Sequence, residues 1–464
     1  MGKKGESTSG NERHPEGVLR RIWRSVFPRP IVPRTERDRR KTILDFFVLH
    51  MRPVRVRKST LAYTHTFGLG GSSLVLIMMM IGTGVLLMLG YEPSPERAYQ
   101  SVVALGEETV FGGLVRNIHH WSANLLVAVV LLHMLRVLFT GGFHGPRRFN
   151  WVIGLALFAV ILASNFTGYL LPWDQLAYWA VTICTGMLGY VPGIGGWLQG
   201  VARGGEEIGS ATLVIFYTFH TTLLPVGLVL LMGFHFWRVR KAGGVIDPRP
   251  PDEVENEEPD YVSTLPELLL RELAAAAALI AGVMVMSVLV NAPLAAAANP
   301  GMSTNPAKAP CYFVGFQELQ LHFHPLFAVV VIPALLVVAL LSIPYLRYDA
   351  EQTGPWFLSE TGRRCGLLAA AFALILTPVL IMLDELFLQP GAGLPTVFGR
   401  GVVPVALLAV VLAGLRVVLL RRFEASKAEQ VQTLFIFFLV VMAVLTITGV
   451  WFRGHGMALV WPWG

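Results

Sequence analysis

Two stretches decide how this chain folds: VRNIHHWSANLLVAVVLLHMLR, residues 115–136, and FHTTLLPVGLVLLMGFH, residues 219–235. Each lies in an apolar run long enough to cross a hydrocarbon core of about 30 Å, and each carries a widely spaced pair of histidines, with His120 beside the first of them. His119 and His133 are 14 residues apart, and His220 and His235 are 15 apart. At 3.6 residues per turn both intervals are close to four turns, so each pair lies on one helix face, about 21–22 Å apart along the axis. Ionisable groups inside membrane spans are costly and mark function. Two helices that run in the same direction, each with imidazoles at two depths, set His119 opposite His220 and His133 opposite His235. Two opposed imidazoles can supply both axial ligands of a haem iron.

The rest of the chain fits a membrane protein. Of 464 residues, 54% are hydrophobic and only 14% charged, against about 25% charged in a soluble domain, and the mean hydropathy is +0.58. That composition argues against a nucleic-acid binder, a solenoid or a secreted disulfide scaffold. The three cysteines, Cys184, Cys311 and Cys365, form neither C-x-x-C nor C-x-x-C-H, so no thiolate cluster or covalent haem site is visible. Nine candidate spans fall near 69–90, 121–140, 151–171, 213–237, 272–292, 325–345, 366–384, 402–420 and 431–451. The fold class is all-α and polytopic, with a di-haem four-helix bundle in the N-terminal half.

The net charge of +7 is uneven. Residues 1–64 hold 16 Lys and Arg against 6 Asp and Glu, and the remainder 21 against 24. The excess reads as a basic arm with an amphipathic segment lying against an anionic cytoplasmic leaflet. No cleavable signal peptide is evident in it. With the N-terminus inside, the loops on that side carry fifteen Lys and Arg against six opposite, before the arm is counted, in keeping with the positive-inside rule. The expectation is a multi-pass protein of a bacterial cytoplasmic membrane, with membrane lipids around it, the N-terminus cytoplasmic and the C-terminus, with Trp461 and Trp463, on the outer face. The segment 184–209 is expected to lie along that outer surface. The acidic, Pro-rich DPRPPDEVENEEPD (247–260) reads as a solvated linker. The domains expected are 1–64, 65–245 (di-haem bundle), 246–262 (linker), 263–345 and 346–464 (additional helices).

Glycines repeat the histidine interval. Gly70 and Gly84, and Gly154 and Gly168, are each 14 apart on the first and third spans. A glycine at each level removes the Cβ where a flat macrocycle approaches backbone, although small residues are also ordinary packing in membrane helices. Arg116 lies three residues before His119 and Arg136 three after His133, cations suited to haem propionates. Arg136 is equally an ordinary inner-side arginine. His322 and His324 are two apart and cannot share a helix face, which weighs against a third metal site there.

These residues resemble the cytochrome b family of quinol–cytochrome c reductases, in the split version of photosynthetic bf-type complexes. The motifs are VRNIHHWSAN (115–124), LHMLRVLFTGGF (132–143), TGYLLPWDQLAYWAV (167–181), FYTFHTTLLP (216–225) and MGFHFWRVRKAG (232–243). The 15-residue interval is the bf-type one. The likeness covers about 65–245. Residues 263–345 look more weakly like a fused subunit IV that contributes to the quinol-oxidation site.

The resemblance implies a Q-cycle subunit with proton translocation, two non-covalent b-type haems, and outer and inner quinone sites fed by the quinone pool. Electrons from quinol would pass to a Rieske-type iron–sulfur protein or a multihaem cytochrome c, within a larger complex in which this chain is a homodimer. His119 and His220 would ligate the outer iron, His133 and His235 the inner. The outer quinol site would use Pro172, Trp173, Asp174 and Gln175 together with a Pro-Glu-Trp-Tyr motif. Here NPAKAPCYFVGFQEL (305–319) stands in that motif's place: Tyr312 is kept, Pro310 replaces the proton-accepting Glu and Cys311 the Trp. Quinol oxidation needs a base, and Glu318 is the nearest candidate, with Asp174, Glu206 and Glu207 as alternatives. Gly68 occupies the position where bf-type relatives tether a third haem through Cys, so covalent attachment is not supported. Two other readings stay open: a di-haem anchor linking quinone to a peripheral dehydrogenase or hydrogenase, which needs no Pro-Trp-Asp-Gln turn, and a non-redox transporter.

Overall fold

The computed structural model describes residues 35–45, 53–255, 258, 260–388 and 396–462. Most of the basic arm, part of the acidic stretch and Trp463 lie outside the described residues. The fold is all-α. Among the described residues nine helices are long and apolar enough to cross a membrane: α1 (Leu69–Met88), α2 (Gly112–Phe139), α3 (Gly145–Leu170), α6 (Ser210–Lys241), α7 (Thr264–Leu289), α9 (Leu326–Tyr345), α10 (Glu360–Leu386), α11 (Phe398–Phe423) and α12 (Lys427–Trp451). They coincide with the nine runs read from sequence. Shorter helices α4 (Gln175–Met187) and α5 (Gly195–Arg203) fill the stretch between α3 and α6, and α8 (Cys311–His322) precedes α9.

Helix α1 packs along α2, α3 along α6, and α7 against α1 and α2; farther along, α12 is held between α8 and α10. A core of Leu76, Ile118, Leu126, Val130, Ile161 and Leu228 fills the middle of the first bundle. Leu126 lies midway in sequence between His119 and His133, so this apolar plug separates the two histidine levels. Many large apolar side chains, among them Leu230, Val288, Ile375 and Val410, are exposed. On a water-facing protein a surface of that kind would mark an interface; on nine apolar spans it suits lipid.

Helix starts follow the local sequence. Asp174 caps α4 by accepting from Ala177 N at 2.9 Å, and Ser426 with Glu429 forms a reciprocal capping box at the start of α12. Both ends of the acidic stretch 246–262 are folded onto the chain. Asp247 accepts from Ser59 Oγ at 2.6 Å and from Arg249 Nε at 3.1 Å, and β1 (Arg55–Arg57) pairs antiparallel with β2 (Tyr261–Ser263). Asp247 also pairs with Arg57 at 3.5 Å and Asp260 with Lys58 at 3.4 Å, in the basic segment just before α1, which composition alone does not show.

Candidate functional site

The four span histidines form two opposed pairs. His119 and His220 have ring centroids 6.1 Å apart, and His133 and His235 6.5 Å apart. The unequal intervals of 14 and 15 residues are reconciled by the backbone: Phe219–Leu223, around His220, is a π-helical turn. Such a turn absorbs one extra residue, and Pro225, which has no N–H to give to Thr221, loosens the helix there. With the surplus residue taken up, His220 and His235 stay in line with His119 and His133.

All four glycines stand directly against these rings. A Cβ at Gly84 would lie 3.3 Å from His119 Cε1, at Gly70 3.4 Å from His133 Cε1, at Gly154 3.9 Å from His235 Cε1, and at Gly168 only 2.5 Å from His220 Cε1. The glycine face is thus occupied by the histidines themselves, at the levels that the 14-residue spacing predicts. The outer rings are oriented by their neighbours. His220 Nδ1 lies 2.9 Å from the carbonyl oxygen of Ser164, and His119 Nδ1 lies 2.9 Å from Thr83 Oγ1. An Nδ1–H donated to a carbonyl leaves Nε2 with its lone pair free to bind a metal. His235 Nδ1 is buried with no hydrogen-bond partner among the described residues.

The two arginines chosen from spacing are held by backbone. Arg116 donates to the carbonyls of Ala292 (2.9 Å) and Pro293 (2.6 Å). Arg136 is buried, donates to His65 O at 3.1 Å and lies 2.5 Å from His65 Nε2. Burial first, and the Arg136 charge next, push the His65 imidazole down to about 4, and its Nε2 also lies 2.9 Å from the carbonyl oxygen of Ile246. His65 has no spacing pattern, and only its contact across 71 residues reveals it.

The Pro172–Gln175 turn is locked onto the loop after α7. Trp173 has φ +52°, a left-handed conformation that costs a bulky residue energy and persists where the surroundings fix it. Its carbonyl accepts from Ala298 N at 3.1 Å and its N–H donates to Leu170 O at 2.9 Å. Asp174 is buried, and its second oxygen accepts from Ala295 N at 2.9 Å. Gln175 accepts from Asn299 N at 2.6 Å and donates to Met302 O. Of the carboxylates weighed as a base, Asp174 therefore serves two backbone amides, Glu206 and Glu207 are exposed, and Glu318 is fully buried against Arg453 and His322. Tyr312 opens α8 and packs against the first-bundle core; burial, then Tyr169, raises its hydroxyl above the ordinary range. Phe313 beside it meets Phe166 of α3 edge-on at 6.5 Å.

A sequence model of the family described as Cytochrome b/b6/petB matches residues 55–243. Cytochrome b6 of Prochlorococcus marinus (strain AS9601) is 42% identical over 175 residues, 38% of this chain and 80% of that protein. Cytochrome b6 of Synechococcus sp. (strain CC9605) is 41% identical over the same shares. The chain belongs to the cytochrome b/b6 family. A solved structure titled "Hyperthermophilic respiratory Complex III" aligns at a TM-score of 0.62 over 85% of this chain and 94% of that one, at 22% identity. That likeness is one of fold, and it extends beyond the family match into the C-terminal helices.

Membership of the cytochrome b family implies b-type haems, and the histidine pairs fit them. A metal–imidazole nitrogen bond is about 2 Å, so one ion between two rings sets their centroids about 6 Å apart, the spacing found at both levels. At Gly68 the backbone has φ +63°, a conformation that favours glycine over cysteine.

Proposed function

We propose that this cytochrome b is the membrane subunit of a quinol:cytochrome c oxidoreductase, or of one serving another high-potential acceptor, with outer and inner quinone sites. The observation that carries the proposal is the pair of matched levels, each with two facing imidazoles and two glycines. When bound, two b-type haems supply one-electron carriers at two depths of the membrane. His119 with His220, and His133 with His235, are the residues that would hold them; Thr83 and the Ser164 carbonyl keep the outer rings oriented.

The substrate side rests on the Pro172–Gln175 turn. Its strained Trp173 and its hydrogen bonds to residues 295–302 give a rigid wall to a quinol pocket between α4 and Tyr312. Arg116 and Arg136 border the two levels. In this reading a Rieske-type iron–sulfur protein or a multihaem cytochrome c takes the other electron, the complex is dimeric, and the chain sits in a bacterial cytoplasmic membrane with its N-terminus inside. The basic balance of the inner loops supports that orientation.

The test is turnover of the native complex with a quinol and a high-potential cytochrome acceptor. Trp173→Ala is expected to abolish quinol oxidation while both haem α-bands persist. A complex that passes electrons only between quinone and a peripheral dehydrogenase, with Trp173→Ala as active as the wild type, would overturn the proposal.

A further inference from the structure

Helix α8 carries Glu318 and His322 four residues apart, hence on one face. Both are buried, Glu318 completely. Glu318 accepts from Arg453 Nη2 at 2.6 Å and from Arg453 Nε at 3.0 Å, and its Oε1 lies 3.2 Å from His322 Nε2. The other ring nitrogen, Nδ1, is 2.7 Å from Asp384 Oδ2. Arg453 Nη1 donates to Glu385 Oε1 at 2.6 Å. Arg400 Nη2 stands 3.7 Å from Asp384 Oδ2.

Charge counting gives the arrangement meaning. Three carboxylates and two guanidinium groups sum to −1, so the cluster is neutral only when His322 carries a proton. Unpaired charge is expensive in a buried site, which ties the imidazole's proton to the state of its two carboxylates. Every charged group facing His322 takes part: Glu318 from its own helix, Asp384 from the end of α10, Arg453 from beyond α12, with Arg400 and Glu385 behind them. Burial pulls the ring down, and the hydrogen bonds to Asp384 and Glu318 outweigh it, holding His322 above its ordinary value.

The cluster has two ends. Arg453 and Glu385 line an open cavity of about 520 Å³ together with Leu321 and Met457. The other end lies on α8 itself, whose Tyr312 is six residues, or about 9 Å along the axis, before Glu318 and whose Phe313 meets Phe166 of α3, the helix that leads into the Pro-Trp-Asp-Gln turn. Gln320 of α8 also touches Met187, the last residue of α4, at 3.3 Å. An Arg–Glu pair alone would suffice to dock α12 on α8, and apolar residues would do so as well. The imidazole between two carboxylates adds something a clamp does not need, a group that exchanges protons near neutral pH.

We propose that Glu318, His322 and Asp384 form a proton relay that carries a quinol proton from the α8 side of the Pro172–Gln175 turn to the cavity beside Glu385. The inference rests on the quinol-oxidation reading and names the residues that discharge its protons. The quinol O–H bond breaks; its electrons leave singly to the electron acceptors; its proton crosses the gap to Glu318 over bridging water. His322, resting with a proton on each ring nitrogen, gives the one on Nδ1 to Asp384, from which it enters the cavity water, and the ring then turns to present its bare nitrogen to Glu318 and take up the quinol proton. One proton enters and one leaves, and no group is consumed.

The test uses the native complex carrying His322→Gln and, separately, Glu385→Gln, with both haem α-bands as the check on folding and turnover measured from about pH 5.5 to 9. His322→Gln is expected to lower turnover by about 10²-fold or more, the lower end of the usual contribution of a positioned proton-transfer group, and to flatten the pH profile; Glu385→Gln is expected to give a smaller, several-fold loss. A His322→Gln complex with wild-type rate and profile overturns the relay. Should it fail to assemble, Asp384→Asn, which keeps a partner for the ring, decides in the same way. Acid-minus-alkaline infrared spectra of the resting complex give a readout independent of turnover: an imidazole band present in the wild type and lost in His322→Gln supports the relay, and its absence from the wild type overturns it. A wild-type complex that shows the band but no quinol turnover would defeat the functional reading and leave the proton exchange standing.

Discussion

Gly168→Ala is the smallest change that tests the outer histidine level. The added Cβ would lie 2.5 Å from His220 Cε1, 2.9 Å from Nδ1 and 3.1 Å from Nε2, where carbon atoms normally rest at about 3.5–4.0 Å. The ring must therefore move by about 1 Å. It is held by the Ser164 carbonyl at 2.9 Å and by a π turn, so the movement breaks that hydrogen bond or displaces the nitrogen facing His119. Disturbing the support of a metal-bound imidazole typically costs 10- to 100-fold in metal affinity, or about 1.4–2.7 kcal/mol. Gly154→Ala is the internal control: its Cβ would sit 3.9 Å from His235, an ordinary contact. Haem content per purified chain, with retention of each α-band under competition from an apo-haem acceptor, reads both variants. Gly168→Ala is expected to weaken the outer haem selectively and Gly154→Ala to leave both intact. Equal retention in the two variants, or equal loss, would refute the steric reasoning.

Three further outcomes follow from the same contacts. Thr83→Val removes the hydroxyl 2.9 Å from His119 Nδ1 and is expected to weaken outer-haem retention by 10- to 100-fold, read in the same competition assay, with the inner haem unchanged. Arg453→Leu leaves Glu318 buried without its guanidinium and is expected to destabilise the docking of α12 on α8 by about 3–5 kcal/mol, measured as a loss of midpoint in denaturant unfolding of the solubilised complex. Glu318 is held below its ordinary 4.5, burial being outweighed by hydrogen bonds from His322 and Arg453, so its contribution is present above 4.5 and is lost as pH falls through the lowered value. His322 is held above its ordinary 6.5, so its contribution is present below 6.5 and is lost as pH rises through the raised value. The thermal stability difference between wild type and His322→Gln is therefore expected to be greatest between these two values and to shrink toward alkaline pH; a difference that grows above pH 7.5, roughly one unit past the ordinary imidazole value, would contradict that sign.

The bundle was legible because apolar length and intramembrane histidines are strong local signals. Residues 115–136 and 219–235 contain within themselves the intervals that place His119, His133, His220 and His235, and the glycines repeat that spacing on the neighbouring spans. The π turn at His220 was less visible, hinted at only by the fifteenth residue and Pro225. What the sequence did not disclose are partnerships between distant segments. His65 meets Arg136 across 71 residues, and His322 meets Asp384 across 62. Comparing His322 with its neighbour His324 concealed its i,i+4 partner Glu318, and nothing local linked either to Arg453, 135 residues beyond Glu318. Asp174 illustrates the converse. As a carboxylate in a recognisable turn it invited a catalytic role, whereas its oxygens serve the amides of Ala177 and Ala295.

The central claim is that two facing histidine pairs hold two haems in this one chain. Haem-to-chain stoichiometry with the reduced-minus-oxidised spectrum, for the wild type, His220→Ala and His235→Ala, tests it most directly. The account predicts two b-type haems in the wild type and one in each variant, with a different α-band component lost in each. A purified wild-type chain that binds no haem, or variants that keep both, would contradict it.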